Sequence, residues 1–74
     1  MSTHLTARVT VHVNGEPREV ADDLTLDRLV ATLTTASTGV AVAVNETVVP
    51  RGQWPRTLLG SGDRVEVLTA VQGG

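Results

Sequence analysis

The chain has 74 residues, with six cationic side chains, all arginine, against eight acidic ones, a formal net charge of −2, no cysteine and a single aromatic residue, Trp54. Arginines scattered singly in an acidic chain exclude a basic patch for a phosphate backbone, and the missing cysteine excludes a disulfide staple, a thiolate nucleophile and a Cys-based metal site. A domain this small buries only about 60% of its unfolded surface, so a large enclosed active site is excluded too. With Phe, Tyr and Ile also absent, the core must be built from Val, Leu and Ala. No apolar run is long enough to span a bilayer and no charged-then-apolar leader opens the chain, so a cytoplasmic protein is expected.

Residues 7–13 alternate, with Val9, Val11 and Val13 on one face and Arg8, Thr10 and His12 on the other, which predicts a half-buried strand. Asn14-Gly15 follows, a pair suited to the positive φ angles of a two-residue hairpin turn. The second strand, 16–20, contains Pro17; a proline cannot donate to the ladder, so this strand belongs at a sheet edge. Asp22-Asp23 reads as a turn, since two carboxylates fall short of the oxygen set a Ca²⁺ site requires. Thr25 is the expected N-cap of a helix whose first turn carries Asp27. Leu26, Leu29, Val30 and Leu33 recur at i, i+3, i+4 and i+7 and form its apolar stripe, and the hydroxyl-rich run from Thr34 ends it near Thr35. Gly39 suits the turn that follows.

The apolar run 40–44, the turn-like Asn45-Glu46 and a short strand over 47–49 predict a second hairpin. Pro50 closes it, and 51–55 reads as a tight or single 3₁₀ turn. Another turn, 60–63, leads to a last strand over 64–69, with Val65, Val67 and Thr69 opposite Glu66 and Leu68. One helix on one face of a mixed sheet of about five strands is an α+β solution. A right-handed crossover carries the third strand to the far side and leaves a central slot for the last one. That is the β-grasp, or ubiquitin-like, roll, a single domain over 1–74, with 1–6 a loose extension and 70–74 a flexible arm of about 16 Å.

The arm ends in Gly73-Gly74. Two residues without Cβ can thread a channel too narrow for any other, and a terminal carboxylate, with a pKa of about 3.3–3.7, is ionised and able to attack a nucleotide phosphorus. The sequence stretches Val13-Asn14-Gly15, Val40-Ala41-Val42-Ala43-Val44-Asn45, Val48-Val49-Pro50-Arg51 with Trp54 three residues on, Gly62-Asp63 and Gly73-Gly74 together resemble the ThiS family of thiamine-biosynthesis sulfur carriers. The resemblance covers about residues 7 to 74 and implies a protein co-substrate, not an enzyme. It implies that a ThiF-type adenylating enzyme, using ATP and Mg²⁺, converts the Gly74 carboxylate to an acyl-adenylate. Sulfur originating in a cysteine persulfide of other proteins then replaces AMP, and the thiocarboxylate serves a ThiG-type thiazole synthase. Within this picture Gly74 is the reacting residue, Gly73 is required for insertion, and Arg51, Trp54, Val71 and Gln72 are candidate partner contacts. The chain itself is expected to bind no cofactor, metal, nucleic acid or membrane, and to be a monomer when free.

Three readings compete: the small subunit of molybdopterin synthase, which shares the fold and the diglycine end; a ubiquitin-like modifier conjugated to other proteins; and an interaction module with an inert tail. Bland readings stand beside the candidate contacts. Trp54 suits a core lid as well as an interface anchor. Arg51 suits hydrogen bonds to loop carbonyls as well as a partner contact, and His4 and His12 are too isolated for anything but a solvated surface role.

Overall fold

The computed structural model describes residues 7–36 and 38–70. Strands β1 (Arg8–Val13) and β2 (Glu16–Ala21) form a hairpin, helix α1 (Leu26–Leu33) crosses the sheet, β3 (Val40–Val44) and β4 (Thr47–Val48) form a second hairpin, and a 3₁₀ helix (Arg51–Arg56) precedes β5 (Arg64–Thr69). The sheet order is β2-β1-β5-β3-β4. The last strand therefore fills the central slot, parallel to β1 and antiparallel to β3. The Pro17-bearing β2 is an edge strand, as its missing N–H demands.

Each tight turn follows from its residues. Asn14 and Gly15 have φ of 51° and 87°, and Asn45 and Glu46 have 52° and 72°, so both hairpins turn through two successive left-handed residues. The asparagines then do a second job. Asn14 extends β1 by side chain: its Oδ1 accepts from the Val67 N–H at 2.9 Å and its Nδ2 donates to the Val67 carbonyl at 3.3 Å. Asn45 does the same on the other flank of β5, accepting from the Arg64 N–H at 2.9 Å and donating to the Asp63 carboxylate at 3.0 Å. The central strand is thus gripped by a turn residue from each hairpin.

Alternation along the strands and the helical stripe point into one core: Val11, Val13 and Val20 from the first hairpin, Leu26, Leu29 and Val30 from α1, Val42, Val65 and Val67 from the far strands, with Trp54 and Leu59. Full burial of such a side chain contributes about 1.5–3 kcal/mol, which lets a core without Phe or Ile hold. The helix departs from expectation at both ends. It stops at Leu33, short of Thr35, with Thr34 already extended at φ −154°. Thr25 is the N-cap by position, yet its hydroxyl bonds the Asp27 carboxylate and caps no backbone N–H. The helix start is held from elsewhere, by the Leu26 N–H donating to the Thr57 carbonyl at 2.8 Å and by the Thr25–Leu58 bridge. Strand β4 also ends a residue earlier than expected, at Val48, although the Val49 N–H still reaches the Val42 carbonyl. Among the described residues no helix is long and apolar enough to cross a membrane.

Candidate functional site

The route from core to tail begins in β5. Val65 and Val67 are buried on the helix side, so Glu66 and Leu68 face outward, and the pairing sets Ala41 across from Leu68 and Ala43 across from Glu66. Val48 pairs with Ala43 and shares that face. Leu68 and Val48 are 68% and 71% exposed and, with Ala41, Ala43 and Glu66, line a shallow depression of about 80 Å³. An aliphatic patch thus lies on the open face of the sheet beside the strand that leads to the tail, with one carboxylate at its margin. Small alanines on β3 leave the depression open, and large aliphatic neighbours supply its walls.

Past Leu68 the strand is anchored. The Ala70 N–H donates to the Gly39 carbonyl at 2.6 Å, tying the end of β5 to the loop before β3. Gly39 has φ of +72°, and a Cβ there would lie 3.1 Å from the Ala70 Cβ. A glycine is therefore needed at this position for both conformation and space. Four candidate residues, Val71, Gln72, Gly73 and Gly74, lie outside the described residues, as does His4. The structure defines the platform from which they depart.

Trp54 and Arg51 come together on the helix side. Trp54 is 5% exposed, and its Nε1–H donates to the Val49 carbonyl at 2.9 Å, so the core-lid reading describes it. The Arg51 guanidinium lies over the indole, 5.1 Å from the ring centroid, and so replaces the expected bonds to loop carbonyls with a cation–π contact. The two residues, with Asp27, Val30 and Thr34 of the helix side, border a groove of about 440 Å³. This groove is separate from the aliphatic patch, because Val30 lies on the helix and the patch on the opposite face of the sheet. His12 sits half-buried on β1, opposite Pro17. No group of three or more His, Cys, Asp or Glu that could hold a metal occurs among the described residues.

The exposed patch was not identified residue by residue from sequence, although Leu68 on the polar face of an alternating strand is its signal. The grip of Asn14 and Asn45 on β5 had none, since Asn14 and Val67 are 53 residues apart.

The model of the ThiS family matches residues 11–74, from β1 through the last glycine. The sulfur carrier protein ThiS of Escherichia coli (strain K12) is 30% identical over 61 residues, covering 82% of this chain and 92% of that protein. A thiazole synthase of Magnetococcus marinus is 38% identical over 64 residues, 86% of this chain but 20% of the synthase. Among solved structures, the thiamine biosynthesis protein (ThiS) of Geobacter metallireducens superimposes with a TM-score of 0.73 at 33% identity, covering 89% of this chain and 100% of that one.

Proposed function

The chain belongs to the ThiS family and is a sulfur carrier of thiamine biosynthesis, and from that premise we propose that the Gly74 carboxylate is the atom group that carries the sulfur. The observation that supports the reading is that the family match spans residues 11–74 and so includes Gly73-Gly74. A carboxylate is a poor electrophile. A ThiF-like partner, with ATP and Mg²⁺, joins the terminal oxygen to AMP and releases pyrophosphate, which gives the acyl carbon a good leaving group. The outer sulfur of a cysteine persulfide attacks the acyl carbon and AMP leaves, giving an acyl disulfide. A second thiol then cleaves the sulfur–sulfur bond, a disulfide forms on the donor side, and the Gly74 thiocarboxylate is released. Gly73 lets that terminus enter a narrow channel in each partner.

The consumer in this proposal is a ThiG-like thiazole synthase. Support comes from the Magnetococcus synthase, one fifth of whose length resembles this chain, so that carrier-like and remaining sequence share one polypeptide there. The exposed aliphatic face, Ala41, Val48 and Leu68, supplies a dry contact beside the tail root that partners can hold in turn. Such contacts must release after each cycle, which places them at the smaller end of interface sizes. Arg51 offers a pre-oriented cation at the other side of the domain, and Trp54 acts through it as a buried support. The proposal includes a cytoplasmic monomer between encounters. The molybdopterin-synthase and protein-modifier readings find no support in the comparisons.

Incubation with a ThiF-like enzyme, ATP, Mg²⁺, a persulfide donor and a thiol reductant, followed by intact-protein mass spectrometry, tests the reading. The expected product is the chain with one oxygen replaced by sulfur at Gly74. Adducts in which Gly74 is joined by an amide to another protein's lysine would show a modifier instead.

A further inference from the structure

All six cationic side chains of this chain are arginines, and Arg8, Arg18, Arg28, Arg51, Arg56 and Arg64 are all exposed. Arginine is required over lysine where its planar fork binds a carboxylate or stacks on a ring. Among the described residues that applies to few of them. Arg64 lies 3.8 Å from the Glu46 carboxylate, with both side chains largely exposed, and Arg51 stacks on Trp54. Arg8, Arg18, Arg28 and Arg56 make no ion pair, side-chain hydrogen bond or ring contact among the described residues. For folding, an ammonium would serve at these four places as well as a guanidinium.

The difference between the two cations is nucleophilicity. A lysine with a pKa of about 10.4 holds on the order of 0.1% of its side chains as free amine near pH 7.4, whereas a guanidinium stays protonated throughout the working pH range and is not nucleophilic. An acyl-adenylate joined to a short tail meets its own domain's surface at an effective concentration in about the millimolar range. We propose that carrying positive charge only as guanidinium keeps this exposed surface free of amines that would capture the activated Gly74 acyl group, reserving that group for sulfur. The inference rests on the reading of Gly74 as the adenylated residue. In the side reaction avoided, a neutral lysine amine attacks the acyl carbon, the carbon–oxygen bond to AMP breaks, AMP leaves with the electron pair, the amine proton passes to solvent, and an amide remains. No oxidant or reductant takes part.

The test replaces these cations while leaving Arg51 and Arg64 in place. A variant carrying Arg8→Lys, Arg18→Lys, Arg28→Lys and Arg56→Lys, and single variants Arg28→Lys and Arg56→Lys as folding controls, are incubated with a ThiF-like enzyme, ATP and Mg²⁺ without sulfur donor. Pyrophosphate exchange reports adenylation, and intact mass with denaturing gels reports amide products, either a chain lighter by one water or a covalent dimer. The fourfold variant is expected to give about tenfold more amide product than the parent, and the yield should climb between pH 7 and pH 9 as the amine fraction rises. The parent should stay at the background set by its α-amine. Exchange at the parental rate with no excess of amide product would overturn the inference alone. Absence of exchange in the parent would overturn the adenylation reading, and this inference with it.

Discussion

At the scale of single residues, the two hairpin asparagines do more than turn the chain. Asn14 gives the Val67 N–H and carbonyl a partner where β1 has ended, so truncating it strands a backbone donor in the middle of the sheet. Asn14→Ala is expected to lower the unfolding free energy by about 1–2 kcal/mol, within the range for orphaning a partly buried donor, as read from urea denaturation. Glu46 is the opposite case, a side chain held at φ of 72°. Its ion pair with Arg64 spans 3.8 Å between side chains 82% and 63% exposed, which contributes little. Glu46→Gly should therefore raise stability by about 1 kcal/mol, the cost a non-glycine residue bears in the left-handed region; a lower denaturation midpoint would refute it. Asn14-Gly15 was legible as a turn because turn chemistry is local. Its grip on Val67 was not, because it depends on which strand arrives beside β1 53 residues later.

At the scale of elements, hydrophobic period carried most of the fold. The alternation of Val9, Val11 and Val13 and the stripe of Leu26, Leu29, Val30 and Leu33 placed β1 and α1, and Pro17 placed β2 at an edge. Leu24 and Leu59 escaped that reading. They lie in irregular segments with no period to expose them, yet they help hold the helix start, where the Leu59 N–H reaches the Leu24 carbonyl. The 3₁₀ helix is pinned by a residue whose burial could be weighed from sequence but not decided. Trp54→Ala should cost about 3–5 kcal/mol, and calorimetry should find it far more damaging than Trp54→Phe, which keeps a ring in the core and loses the bond to Val49. The junction of β5 with the loop before β3 rests on Gly39. Gly39→Ala forces a Cβ to 3.1 Å from Ala70 at a φ of +72°, and is expected to cost about 1–2 kcal/mol and to speed amide exchange at Ala70.

At the scale of the whole molecule, the fold separates the core from the exposed aliphatic face proposed for partner contact. Among the described residues the buried side chains form one core in which strand residues meet Leu26, Leu29 and Val30 of α1 and Trp54 of the 3₁₀ helix, and the other face of the sheet carries the exposed aliphatic groups Val48 and Leu68. The role proposed for the diglycine end comes from terminal chemistry, which needs no fold to interpret it. The patch beside its root was not fully legible, since Val48 joins it only through a two-residue strand paired to β3. This separation makes the contact testable without unfolding the protein. Leu68 is 68% exposed, so Leu68→Asp should change stability by less than about 0.5 kcal/mol. If partners grip this face, the same change places an uncompensated carboxylate beside Glu66 in a dry interface, and the KM of a ThiF-like enzyme for the chain should rise by about tenfold or more. Removing Gly74 has the inverse signature: the terminal carboxylate moves back to Gly73, about 3.3 Å short of its place, so the variant should still compete with the intact chain for the enzyme while accepting AMP and sulfur far more slowly. An unchanged KM for Leu68→Asp would move the recognition surface elsewhere, and the Arg51 side of the domain is where to look next. Leu68→Asp alone would then leave thiocarboxylate formation intact, whereas the Gly74 deletion, with its carboxylate one residue short, would depress it in either case.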